Sequence, residues 1–214
     1  MTVRCEKLIP LPLLEQDISG SQVWDVDSVE FEQGKSYIIE APSGKGKTSL
    51  LSVIYGIRND YQGKVLLDDK PVSGFSWKDW SAHRKQHFSY IFQGLELFDS
   101  LSARDNILLK NSMTGFKTPG EIEEMARILG MEEFLHREAG ILSFGQQQRV
   151  AIIRALCQPF HFLLADECFS HMDHENSRIA YQLIQQECQA QGAGFILTSL
   201  NEKANFRDSI RMKL

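Results

Sequence analysis

The stretch EAPSGKGKTSL, Glu40 to Leu50, holds the residues with the clearest chemistry. Gly46, Lys47 and Thr48 close the phosphate-loop pattern G-x-x-x-x-G-K-[ST], and Ala41 stands where its first glycine belongs. Between a strand and a helix beginning at Lys47, such a loop is an anion site. Its backbone N–H groups, over Ser43, Gly44, Lys45, Gly46, Lys47, Thr48 and Ser49, face phosphate oxygens, and the helix N-terminus adds partial positive charge. Lys47 is expected to reach the β- and γ-phosphates of a nucleotide and the Thr48 hydroxyl to take Mg²⁺, with Lys45 as a further nearby charge. Alanine at 41 is excluded only where the backbone needs positive φ or very close packing. The bland alternative is a glycine-rich turn before an ordinary helix. A carboxylate at Glu40 is unfavourable beside phosphate unless it points away.

The elements that must position this loop are readable in outline. VWDVDSVEFE (Val23 to Glu32) alternates as a strand, with Trp24 expected in the core, and SYIIE is a second strand. KTSLLSVIYGI has helical apolar spacing. KVLL and FSYIF are further strand candidates, separated by the turn-rich DDKPVSG. PGEIEEMARILG and MEEFLH read as helices in a stretch, Ser102 to Gln158, that is poor in strand signals. Strands return at FHFLLA (Phe160 to Ala165) and GFILT (Gly194 to Thr198), on either side of a long helix over about His174 to Gln191. The expectation is an α/β core with a helical insertion, its later strands in a parallel sheet.

Bulk composition narrows the function classes. The chain has 214 residues, 43% hydrophobic and 24% charged, with net charge -5. That is an ordinary globular composition, without the basic surplus of a general nucleic-acid binder. No apolar run approaches the roughly 20 residues of a membrane span, and MTVRCEK leads into no signal-peptide apolar region. Cys5, Cys157, Cys168 and Cys188 form no C-x-x-C pair, which fits reduced thiols in a cytoplasmic protein.

Four further segments follow the loop in order. They are YIFQGLELFDSLSARDNILL (Tyr90 to Leu109), LSFGQQQRVAIIRAL (Leu142 to Leu156), FLLADE (Phe162 to Glu167) and SHMD (Ser170 to Asp173). Singly, each has a plain reading: Gln93 as any loop glutamine, FLLADE as a buried strand ending in solvated carboxylates, His171, Asp173 and His174 as metal ligands. Together they resemble the ATP-binding-cassette (ABC) ATPase family over about residues 23 to 200. The four segments correspond to its Q-loop, signature, Walker B strand and D-loop. The F-Q…L-F…D-N-I pattern is most similar to the cassettes of lipoprotein-release, macrolide-export and cell-division transporters.

The resemblance implies a P-loop NTPase core of ABC ATPase type, with an antiparallel β subdomain and a helical signature subdomain. It implies that all 214 residues form one such domain, about 1–92 and 159–214 as catalytic core with the β subdomain and about 93–158 as the helical subdomain. It implies ATP and Mg²⁺ as cofactors, with Asp166, Thr48 and Gln93 around the metal and Glu167 polarising the attacking water. Two cassettes, identical or different, pair head to tail, so that Ser143, Gly145 and Gln146 of one cover the γ-phosphate held by Lys47 of the other. A separate membrane permease docks near the Q-loop, placing the chain in the cytoplasm at the inner face of the membrane, without insertion and without nucleic acid as partner. DNA-repair members of the family need a coiled-coil insertion for which 214 residues leave no room.

Departures from the family pattern divide the functional expectation. Besides Ala41, Phe144 occupies a signature glycine position and ECFS follows Walker B in place of E-P-T-G. Ser199 sits where the switch histidine belongs, and no histidine occurs after His174. No aromatic lies in Pro12 to Gln16, where the adenine-stacking residue is expected. One reading is a slow ATPase driving a permease. The other is an ATP-dependent dimerisation switch or regulatory cassette with little turnover.

Overall fold

The runs SYIIE, FLLAD and GFILTS lie side by side at the centre of a parallel sheet. In the computed structural model, which describes residues 1–200 and 209–214, they form β3 (Ser36–Glu40), β7 (Phe162–Asp166) and β8 (Gly194–Ser199). β6 (Phe88–Ile91) and β9 (Ile210–Lys213) flank them in the order β6-β7-β8-β3-β9, every pairing parallel. Strands buried on both faces carry continuous apolar runs, which is why these segments show no alternation. Along β7, Phe162 and Leu164 face one core and Leu163 and Ala165 the other. Because the strands are parallel, their C-terminal ends share one edge. Glu40 lies opposite Ser199, and Asp166 opposite Thr198.

A second, antiparallel sheet has the order β2-β1-β4-β5, from β1 (Thr2–Pro10), β2 (Ser28–Glu32), β4 (Tyr61–Leu67) and β5 (Lys70–Pro71). Helix α1 (Lys47–Ile54) packs its Leu50, Leu51, Val53 and Ile54 between the two sheets. α2 (Trp77–Gln86) leads into β6. On the other face of the parallel sheet lie α3 (Ala103–Asn111), α4 (Pro119–Ile128), α5 (Phe144–Leu156) and α6 (His174–Gln191). Their starts are written in capping boxes, Thr118 with Glu121 on α4 and Ser143 with Gln146 on α5. α6 starts on Asp173 and ends at Gly192 with φ 60°. The four cysteines are free and buried, and burial pushes the thiols of Cys5, Cys157 and Cys188 up to about 12.

The mixed α/β architecture with one parallel and one antiparallel sheet agrees with expectation, and the long helix matches over its full span. Local corrections have physical causes. The strand expected from Val23 begins only at Ser28. Ser21 Oγ accepts from the amides of Val23 (3.2 Å) and Trp24 (2.8 Å), which winds this segment into turns. Trp24 is buried as expected, but in that turn and not in a strand. MEEFLH contains only a 3-10 turn, Glu132–Phe134. β1, α2 and β9 are elements that the sequence reading did not expect. Residues 201–203 of FILTSLNEK lie outside the described residues.

At the opposite end of the parallel sheet from Glu40 and Asp166, three histidines meet. His83 is in the last turn of α2, His87 caps it, and His161 precedes β7. His87 Nδ1 and His161 Nδ1 are 3.0 Å apart, so one of the two nitrogens must be unprotonated. Burial holds all three imidazoles below the usual histidine range, against the pull of Asp68 on all three and of Asp79 on His83. Protons then bind the unfolded chain first. Stability is full above the ordinary histidine value, about 6.5, and falls as the pH drops below it. The melting temperature should decline between about pH 7 and 5, and His87→Gln should flatten that slope. A wild-type melting temperature that stays level over this interval contradicts the account.

Candidate functional site

The loop between β3 and α1 turns on two glycines with positive φ, Gly44 (79°) and Gly46 (92°). Gly46 is required twice over, because a Cβ there would also lie 2.6 Å from Leu13 Cδ1 and 3.3 Å from the Trp24 ring. It is the residue before α1 and supplies no side-chain cap, so the first N–H groups of α1 keep their capacity to bind an anion. Ala41 is not among the positive-φ residues and is buried, so alanine suits this position.

Lys47 is only 5% exposed, and its ammonium is fully engaged. It donates to the carbonyls of Ala41 (2.7 Å) and Pro42 (3.0 Å) and pairs with Glu167 Oε1 at 3.2 Å. Gln93 Nε2 approaches the other Glu167 oxygen at 3.5 Å. Glu167 takes φ +50°, a conformation costly for a residue with a Cβ. It is fixed there by its amide, which lies 3.2 Å from both the carbonyl and Oγ1 of Thr198. Thr198 Oγ1 also donates to Asp166 Oδ1 at 2.6 Å. One threonine thus aligns both carboxylates at the end of β7.

Asp166 is 1% exposed, and its Oδ2 is buried with no hydrogen-bond partner. A carboxylate oxygen in that state needs a cation or a water. Asp166 lines a cleft of about 520 Å³ together with Thr48, Ser52, Tyr90 and Gln93. The three residues expected at the metal therefore border one space, and their hard oxygen donors suit Mg²⁺. Burial raises the Tyr90 phenol above its usual range, leaving it neutral.

The remaining expected residues fall in several places. Ser49 Oγ accepts from Arg58 Nη1 at 2.9 Å. Lys45 borders a separate cavity of about 200 Å³ with Leu13, Asp17, Ile18 and Trp24, and its carbonyl accepts from Trp24 Nε1 at 3.2 Å. The Glu40 carboxylate, the awkward one beside the loop, forms an ion pair with Arg211 of β9. Ser199 ends β8, and its carbonyl accepts from the Ala41 amide at 3.4 Å. Ser143, Gly145 and Gln146 sit at the start of α5. Among the described residues no hydrogen bond or ion pair joins them to Lys47 or Glu167.

Sequence reasoning missed Thr198, Trp24, Leu13 and Arg211 as parts of this site. Thr198 was findable, as the one polar residue in a run of apolar strand positions; the others carry no local signal. Thr198→Val keeps the shape and deletes the hydroxyl. It should lower unfolding stability by about 1–3 kcal/mol, because it strips a buried carboxylate of its donor. Denaturant unfolding with an unchanged midpoint would show that the threonine is dispensable.

Comparison with known proteins agrees with this geometry. The family model described as ABC transporter matches residues 25–170. The ABC transporter ATP-binding protein YtrE of Bacillus subtilis is 32% identical over 180 residues, covering 82% of this chain and 78% of the relative. The lipoprotein-releasing system ATP-binding protein LolD of Cytophaga hutchinsonii is 32% identical over 176 residues, covering 80% of each chain. The dimeric structure of MJ0796, a bacterial ABC transporter cassette, superposes with a TM-score of 0.80 at 22% identity, covering 99% of this chain and 94% of that one, a likeness of fold. The antiparallel sheet, the parallel core with its phosphate loop and the ordered motifs all have their counterpart in one family, and this chain belongs to it: it is an ABC transporter ATP-binding subunit of the group that includes the LolD proteins.

Proposed function

We propose that the chain binds Mg²⁺-ATP and hydrolyses it slowly within a head-to-tail pair of cassettes, driving a separate membrane permease. The observation that supports this most directly is the convergence of Lys47, Glu167, Gln93 and the orphaned Asp166 Oδ2 at the edge formed by β3, β6 and β7. ATP phosphates accepted by the loop amides offer Lys47 a stronger anionic partner than Glu167, and the glutamate is released to orient water. Asp166, Thr48 and Gln93 would hold the magnesium or its waters. With magnesium bound, the charge developing on the phosphate oxygens is neutralised. Glu167 then takes the proton of the attacking water, and its strained backbone and Thr198 anchor fix the direction from which it acts.

The catalytic elements of one subunit end at its own loop. Ser143, Gly145 and Gln146 would close the site of the partner, as the resemblance implies. In support, this chain has the fold of a cassette solved as a dimer. No helix among the described residues is long and apolar enough to cross a membrane, and the permease of this reading is a separate chain. Ser199 is too short to give the phosphate the contact of a histidine, and we attribute slow turnover to it. The alternative role, a switch that closes on ATP with little turnover, draws on the same serine and on Phe144, which is 42% exposed within the signature.

Two variants test the reading. Lys47→Ala should weaken ATP binding by about 1.5–3 kcal/mol, the value of a hydrogen bond to a charged group. An unchanged affinity by calorimetry removes the nucleotide site from this loop. Glu167→Gln should trap an ATP-dependent dimer, visible by light scattering, because closure survives when the base is gone. A variant that stays monomeric at high concentration with ATP argues against pairing between copies of this chain.

A further inference from the structure

The signature of this chain is joined to its D-loop by contacts of Phe144 and Gly145 with His171. The Phe144 ring meets the His171 ring edge-on, with centroids 4.3 Å apart at 62°. A Cβ on Gly145 would lie 2.9 Å from the His171 carbonyl oxygen, so the two backbones touch here. His171 is thus part of the same surface as Ser143, Gly145 and Gln146.

Its imidazole is oriented by a relay that ends in the core. Gln148 is 2% exposed. Its Oε1 accepts from the His171 amide at 3.3 Å. A backbone N–H can only donate, so this contact fixes which end of the Gln148 amide faces which neighbour. Gln148 Nε2 then donates to Ser170 Oγ at 3.3 Å. Ser170 Oγ in turn lies 2.8 Å from His171 Nδ1, a hydrogen bond that anchors the ring. The ring is held by this bond through Nδ1, while the residue as a whole is exposed. A buried amide, a serine and an aromatic edge all serve to hold one exposed imidazole in place beside the signature.

Resting on the head-to-tail pairing proposed above, we propose that His171 is a catalytic residue acting in trans. Its Nε2–H hydrogen-bonds the γ-phosphate held by Lys47 of the partner subunit, supplying the imidazole contact that Ser199 cannot make in cis. Phe144 then has a use: it braces the His171 ring, where a glycine would leave that ring without support. The contact donates a hydrogen bond as phosphate charge develops and breaks no bond of its own. Residual turnover depends on the partner's D-loop as well as its signature.

The test is complementation between two defective subunits. His171→Ala should keep ATP binding within about threefold and lower kcat roughly ten- to a hundredfold, the effect of one hydrogen bond to charge lost in the transition state. Mixed with Lys47→Ala subunits, which bind ATP poorly but retain His171, it forms pairs in which one site has both a working loop and an imidazole from across the interface. Turnover of the mixture should rise severalfold above the average of the two variants alone. His171→Phe keeps a ring against Phe144 and removes the donor. It should be as slow as alanine and should complement in the same way, which covers the case in which alanine disturbs the loop. Full activity in His171→Phe reduces His171 to packing and overturns the proposal. Absence of rescue on mixing, with wild type active and dimeric, overturns action in trans. A wild type that binds ATP and never pairs removes the head-to-tail reading, and this role of His171 with it.

Discussion

A buried ammonium cannot remain unpaired, and the site is organised around that constraint. Lys47 leaves the first turn of α1 and reaches back beneath its own loop to two carbonyls and to Glu167 at the end of β7. Breaking such a pair by removing one partner typically costs about 3–5 kcal/mol, because the other charge is left desolvated. The pair therefore holds the loop entrance against the edge of the parallel sheet. On the function proposed above, an anion that competes for Lys47 also frees Glu167. On that reading, anion binding and release of the carboxylate are one electrostatic event.

How much of this was legible in the sequence depended on whether the cause was local. The loop was readable because Gly46, Lys47 and Thr48 act through adjacent backbone and side-chain groups. α6 was readable end to end because its apolar face has the helical period and its boundaries lie at Asp173 and Gly192. β1 is not legible, although its Val3 and Cys5 point inward beside Leu8, because its register is broken between Glu6 and Ile9. The Val23 strand failed because Ser21 diverts the backbone, and a single hydroxyl outweighs an alternating pattern. Glu40 looked anomalous because its partner, Arg211, lies 171 residues away in sequence. Nothing near either residue announces the other.

The departures from the family pattern differ in kind once their surroundings are known. Ala41 is accommodated, since its backbone lies outside the region that favours glycine and its carbonyl is what Lys47 uses. Phe144 is not an isolated bulky ring, since it packs edge-on against His171. Ser199 ends β8 with a side chain shorter than the histidine expected there. Its carbonyl still receives the Ala41 amide, so the strand contact survives where the side chain is short.

The buried thiols make the molecule its own reporter. Cys5 lies in the antiparallel sheet, Cys168 directly after Glu167, and Cys157 and Cys188 in the helical layer. Each is shielded from solvent and held in its unreactive protonated form by burial. An alkylating reagent can therefore modify a given position only while that region is open. The four labelling rates, read by peptide mass, become four clocks on one chain. Comparing them with and without nucleotide would show which layer breathes first, and whether the strand end that carries Glu167 opens apart from the sheet behind it.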